Sequence, residues 1–120
     1  MYVYFEIRKK SITFVELVKN KNRMRIIAHS TIVAYSKQHA DAKTALESWY
    51  KTVKAVVWKD FQDVKNTFKS VDYVGNQRYV FNIKGNNYRL VGKILFVQQI
   101  IYIRFIGTHK EYDEIDCSTI

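Results

Sequence analysis

The chain of 120 residues has no proline, one cysteine, four glycines and only 11 acidic residues against 20 Lys and Arg. Each shortage removes a class of protein. A single thiol, Cys117, forms neither an internal disulfide nor a multi-cysteine zinc site, which fits a reducing cytoplasm. There is no Gly-rich phosphate loop, no Gly-x-Ser-x-Gly elbow, no His/Cys zinc spacing and no carboxylate pair of a two-metal nuclease. No stretch approaches the roughly 20 apolar residues of a membrane-spanning helix. The start of the chain lacks the charged region, apolar core and small-residue cleavage site of a secretory signal. Without a low-complexity tract, internal repeat or Gly/Ser linker, the chain reads as a single domain with a modest core, too small to enclose a large cofactor. Neither a cofactor nor a bound metal is expected.

What remains is basic. The net charge is +9, and residues 24–120 keep +5 of it, with 14 basic and 9 acidic residues. Such a balance favours polyanionic partners, nucleic acid ahead of membrane. In chain order, Tyr2–Arg8 alternates weakly as a strand, and Ser11–Asn20 has the apolar spacing of a short helix. Lys19–Arg23 is a basic break. Met24–His29 reads as a strand, with Ser30 placed to cap a helix running through His39. His29 and His39 fall at element ends and read as structural. Asp41 is expected to cap the next helix, in which Ala42, Ala45, Leu46, Trp49, Val53, Val56 and Val57 recur at three- and four-residue steps. Trp49 and Trp58 read as core anchors. Asp60 caps a shorter helix to Phe68, with Phe61, Val64 and Phe68 inward. Lys51, Lys54, Lys59 and Lys65 lie outward.

The most informative stretch is Arg78–Tyr112. Three runs rich in β-branched and aromatic residues, Arg78–Lys84, Asn87–Phe96 and Gln99–Ile106, are separated by Gly85-Asn86 and Val97-Gln98, the pattern of an antiparallel meander. Gly85-Asn86 suits a tight turn, since both residues tolerate positive φ. Strand alternation puts Tyr79, Phe81, Ile83, Tyr88, Leu90, Ile94, Ile101, Ile103 and Phe105 on one face. Arg78, Asn82, Lys84, Arg89, Lys93, Tyr102 and Arg104 take the other. No acidic residue lies between Tyr73 and Lys110. Two uses are open for these cations: keeping a half-solvated sheet face soluble, or gripping an anion. Directly after the last run come His109 and Tyr112, candidates for proton transfer and base stacking.

The order R-x-V-F-N-I-x-G-N-x-Y-R-L-V, followed by I-R-F-I-G-T-H-x-E-Y-D-x-I-D, resembles the HigB toxins of type II toxin–antitoxin systems, within the RelE superfamily. Trp49-Tyr50-Lys51, Val53-Lys54, Trp58, Asp63-Val64-Lys65 and Phe68 also fall where that family has similar residues. The resemblance runs from about Met24 to Asp116. Residues 1–23 lie outside it, either as an extension from an upstream start, with Met24 the alternative start, or as a genuine appendage to the domain at 24–120. The resemblance implies an α+β RelE-like fold, a small antiparallel-dominated sheet with helices packed on one face, in line with the element order. It further implies a bacterial endoribonuclease that cuts messenger RNA, in concert with the ribosome, and is neutralised by a HigA-like helix-turn-helix antitoxin.

Metal-free RNA cleavage is chemically open to such a chain because RNA carries its own nucleophile, the 2′-hydroxyl. The protein need only accept that proton, steady the charge on phosphorus and protonate the departing 5′-oxygen. Arg89 and Arg104 are the expected phosphate clamps, with Lys93 assisting, because an arginine fork holds two oxygens and stays charged. His109 is the expected general acid, and Tyr112 the stacking or orienting group. Arg78, Asn82, Lys84 and Lys65 are the expected RNA-binding residues. The competing reading is a non-enzymatic RNA- or protein-binding module that kept the fold and the charge.

Overall fold

The computed structural model describes residues 23–120 and, ahead of them, two short strands, β1 (Tyr4–Phe5) and β2 (Ile12–Thr13), which pair antiparallel. The helix expected over Ser11–Asn20 is therefore corrected at Ile12–Thr13; the rest of it, and most of the Tyr2–Arg8 strand, fall outside the described residues. The main domain runs β3 (Arg25–Ile27), α1 (His29–Gln38), a 3-10 turn (Ala40–Ala42), α2 (Lys43–Lys54) and α3 (Phe61–Thr67). It continues through β4 (Asp72–Gly75), β5 (Arg78–Ile83), β6 (Tyr88–Leu95), β7 (Ile100–Thr108) and the single turn α4 (His109–Tyr112). The strands form one sheet in the order β3-β7-β6-β5-β4, antiparallel throughout except where β3 runs parallel to β7.

Helices cover one face, as expected for this α+β arrangement. Leu46, Trp49 and Val53 come inward from α2 and are buried, because three- and four-residue steps return to the same side of a helix. They meet Phe81 at the sheet centre: its ring lies 5.4 Å from Trp49, 6.3 Å from Trp58 and 5.3 Å from Phe68. Both tryptophans are core anchors, and truncating either is expected to cost about 3–5 kcal/mol. Trp58 is fixed a second time, since its main-chain N–H donates to Gln99 Oε1 at 3.1 Å and its indole donates to Thr67 Oγ1 at 2.9 Å. The Gln99 amide also donates to the Trp58 carbonyl and, at 2.7 Å, to that of Phe96. A buried glutamine thus ties the start of β7 to the segment leaving α2.

The cap expected at Asp60 is present, its carboxylate accepting from the Asp63 N–H at 3.1 Å. Two other caps are corrected. α1 begins at His29 with Ala28 before it and no side-chain cap, so Ser30 lies inside the helix. Asp41 lies in the 3-10 turn and accepts instead from Tyr88 Oη at 2.7 Å and Lys84 Nζ at 3.2 Å. β4, which was not foreseen, is four residues long and joins β5 through a turn in which Gly75, Asn76 and Gln77 all have positive φ. In the β5–β6 turn the left-handed residues are Lys84 and Gly85, not Asn86.

Candidate active site

The face of the sheet away from the main core carries three rows across β5, β6 and β7. Asn82, Arg89 and Gly107 pair in the first, Val80, Val91 and Phe105 in the second, Arg78, Lys93 and Tyr102 in the third. Phe105 stands here and not on the helix-packed face, which corrects the alternation expected for β7. The cause is a bulge: Val91 pairs with Phe105 and Gly92 with Ile103, leaving Arg104 without a partner across the ladder. Beyond the bulge every side chain of β7 is shifted by one relative to the simple pattern.

The C-terminal segment returns over this face. Asn76 Nδ2 donates to the Ser118 carbonyl at 3.1 Å, and Arg78 Nε donates to the Ile120 main-chain oxygen at 3.0 Å. Val80 and Val91 are buried although neither belongs to the helix-side core. Of the basic residues in these rows Arg78 is buried, whereas Arg89 and Lys93 are partly exposed.

Arg89 is half-buried, and its guanidinium is held from one side. Nη1 donates to the carbonyls of Asn86 at 3.2 Å and Tyr88 at 3.4 Å, and Nη2 donates to Asn86 Oδ1 at 2.6 Å. A guanidinium has five N–H donors, so at least two remain for an anion. The Tyr112 ring lies 5.9 Å from the guanidinium carbon, a cation–π contact that holds both groups without using those donors. Across the ladder stands Gly107, and the site needs a glycine there: a Cβ would come 2.4 Å from Phe105 Cζ and 3.0 Å from Glu111 Oε1.

His109 and Tyr112 are presented together by α4. The turn starts at a capping box, with the Glu111 N–H donating to Thr108 Oγ1 at 3.2 Å and the Thr108 N–H donating to Glu111 Oε1 at 2.8 Å. The His109 N–H also donates to the Asn87 carbonyl at 3.1 Å, which fastens α4 to the end of β6 beside Arg89. His109 is exposed, with Nδ1 3.2 Å from Asp113 Oδ2. Tyr112 is half-buried, its hydroxyl 3.4 Å from Cys117 Sγ. Burial first, and then that thiol, push the phenol up to about 12, against the opposing pull of Arg89. Tyr112 is accordingly neutral at physiological pH, a stacking surface and hydrogen-bonding group and not a phenolate base.

The other expected residues are distributed differently. Asn82 is exposed and pairs with Arg89 across the ladder. Lys93 shares the face but stands four residues along β6, about 13 Å away. Arg104, at the bulge, lines a groove with Ser30, Thr31, Tyr35 and Gln38 of α1. Three of the expected RNA contacts have intramolecular partners in the structure. Arg78 is 7% exposed and commits its guanidinium to the Ile120 and Asn76 oxygens. Lys84 leaves the strand alternation at a left-handed φ of 52° and pairs with Asp41. Lys65 donates to the Val71 carbonyl at 3.2 Å. Among the described residues no three or more His, Cys, Asp or Glu side chains come together in a way that would hold a metal ion. No helix there is long and apolar enough to cross a membrane.

A helix-backed mixed sheet of this topology is consistent with the RelE-like class of small α+β folds. Residues 42–115 match HigB_toxin, the RelE-like toxic component of a toxin-antitoxin system. The chain belongs to this family. It is 33% identical over 93 residues to "mRNA interferase toxin HigB" of Escherichia coli (strain K12), covering 75% of this chain and 88% of that relative. The match to "mRNA interferase HigB" of Shigella flexneri has the same identity and coverage. "mRNA interferase HigB" of Escherichia coli O6:H1 is 27% identical over 94 residues, covering 77% of this chain and 91% of the relative.

Proposed function

We propose that this chain is the toxin of a toxin–antitoxin pair and acts as an endoribonuclease on messenger RNA, using the RNA 2′-hydroxyl as nucleophile. The observation that carries the reading is the first-row cluster, in which Arg89 keeps free N–H donors beside Tyr112 and an exposed His109. Arg89 grips two oxygens of the scissile phosphate and steadies the charge that builds there. The 2′-oxygen attacks phosphorus and its proton leaves to a base. As the bond from phosphorus to the 5′-oxygen breaks, the imidazolium of His109 delivers a proton to that oxygen. The products are a 2′,3′-cyclic phosphate and a 5′-hydroxyl. The neutral Tyr112 ring stacks on an unpaired base, the usual way single-stranded RNA is held. Asn82 and Lys93 follow the strand to either side, and Arg104 meets it from the edge groove.

The relatives named mRNA interferase support this substrate. We place the reaction in the cytoplasm on transcripts in translation, with a HigA-like helix-turn-helix protein as the neutralising partner. The test is induced expression followed by mapping of transcript 5′ ends. New ends within reading frames, dependent on active translation, are expected; intact transcripts with normal growth overturn the reading. A binding module without turnover predicts that His109→Ala still arrests growth. The enzyme predicts that this variant is harmless yet still captured by the antitoxin.

A further inference from the structure

We propose that Asp113 is a positioning residue for His109, turning the ring so that Nε2 is the nitrogen that meets the RNA. The inference rests on the cleavage reading above but is read out separately from it. Asp113 Oδ2 lies 3.2 Å from His109 Nδ1, four residues on. Backbone geometry fixes the approach. Asp113 closes α4, its N–H donating to the His109 carbonyl at 3.1 Å, while the capping box fixes the other end of the same turn. Glu111 is committed to Thr108, which leaves Asp113 as the carboxylate facing the ring.

The ring is 46% exposed and the carboxylate 60%, so their attraction is screened and contributes little to stability. What the pair supplies is direction. In this structure the pair is an ion-pair contact and not an aligned hydrogen bond; a turn of the exposed ring lets a proton on Nδ1 be donated to the carboxylate, which leaves the lone pair of the neutral ring on Nε2 and the transferable proton of the imidazolium on the same atom. In the cleavage step the Nε2–H bond breaks as the O–H bond of the departing 5′-hydroxyl forms, while the Nδ1–H stays with Asp113. A histidine side chain free in water favours the opposite tautomer, with hydrogen on Nε2. Without Asp113 the Nδ1–H has no carboxylate to hold it, and the ring is free to turn so that Nε2 no longer faces the 5′-oxygen.

The test combines nitrogen NMR of His109 in the full chain, at a pH where the ring is neutral, with cleavage kinetics on an RNA substrate. The wild-type ring is expected as the Nδ1–H tautomer. Asp113→Ala is expected to shift it towards Nε2–H and to lower kcat about 10- to 100-fold with KM unchanged, less than the roughly 10²–10⁴-fold that the proton carrier itself contributes. Asp113→Glu, which restores the acceptor, is expected to recover the tautomer and part of the rate. A wild-type ring already in the Nε2–H form, or Asp113→Ala cutting within twofold of wild type, overturns the proposal. The tautomer is recorded without RNA. An Nδ1–H ring in a chain that leaves transcripts intact therefore supports the positioning and refutes only the nuclease.

Discussion

Removal of the Arg89 guanidinium is the sharpest test of the site. Three contacts, to two carbonyls and to Asn86 Oδ1, orient the group from the β5–β6 turn, and they leave at least two of five N–H donors unused. If those donors hold the scissile phosphate most tightly in the transition state, losing them resembles losing an oxyanion donor. That costs about 2.7–4 kcal/mol, or roughly 10²–10³ in kcat. Arg89→Ala should then cut RNA some hundred- to thousandfold more slowly. Arg89→Lys, which keeps the charge but loses the fork, should fall between the two. Because the side chain is only half-buried and bonds to turn atoms that water can satisfy, the fold should lose no more than about 1 kcal/mol. The assay is single-turnover cleavage of a labelled transcript, paired with a urea melt and antitoxin capture to show that each variant is folded. Cleavage by folded Arg89→Ala within twofold of wild type would refute the assignment of the scissile phosphate to this row.

Tyr112→Phe keeps the ring beside Arg89 and should retain RNA affinity, whereas Tyr112→Ala should weaken it by about 1–3 kcal/mol in a filter-binding measurement if the ring stacks on a base; equal loss in both would point to the hydroxyl instead. Gly92→Ala places a Cβ 2.5 Å from Cδ1 and 2.8 Å from Cγ1 of the fully buried Ile101, so a destabilisation of about 1–3 kcal/mol is expected in urea, and an unchanged midpoint would contradict it. Gln99→Ala strips partners from the Trp58 main chain and should cost about 2–3 kcal/mol by the same measurement. The Tyr88 hydroxyl, and next Lys84, hold the Asp41 carboxyl below its usual value of 3.8. A depressed carboxyl stabilises the fold above that value and loses the effect as pH falls through its folded value. The acid side of the Tm–pH curve should therefore be flatter for Asp41→Asn than for wild type, and identical slopes would rule out the contact.

Much of this architecture was legible in the residues because the two sheet faces differ in chemistry. Tyr79, Phe81, Leu90 and Ile94 alternate with Arg78, Asn82, Arg89 and Lys93, and both the helix-packed layer and the basic face follow from that period. Where the reading failed, a single residue broke the period or a distant segment intervened. Nothing in I-R-F-I announces that Arg104 will be squeezed out of the ladder, so Phe105 was assigned to the wrong side. Lys84 left its strand through a left-handed turn that glycine and asparagine alone had been expected to provide. The partner of Arg78, the Ile120 oxygen, lies 42 residues away and carries no local signature. Two features were visible and went unread: the Thr108-x-x-Glu111 capping box, and the four-residue spacing of His109 and Asp113.

β3, near the beginning of the domain, has one neighbour in the sheet, and that neighbour is β7: Arg25 waits for Ile100. The groove side of β6 waits as well, for Gly107 opposite Arg89 and for the turn that carries the imidazole. A polypeptide ending before Ile100 would leave β3 without its partner strand, and one ending before His109 would lack the turn that carries the imidazole. Assembly of the basic face with its His/Tyr turn therefore waits until nearly the whole domain has been synthesised.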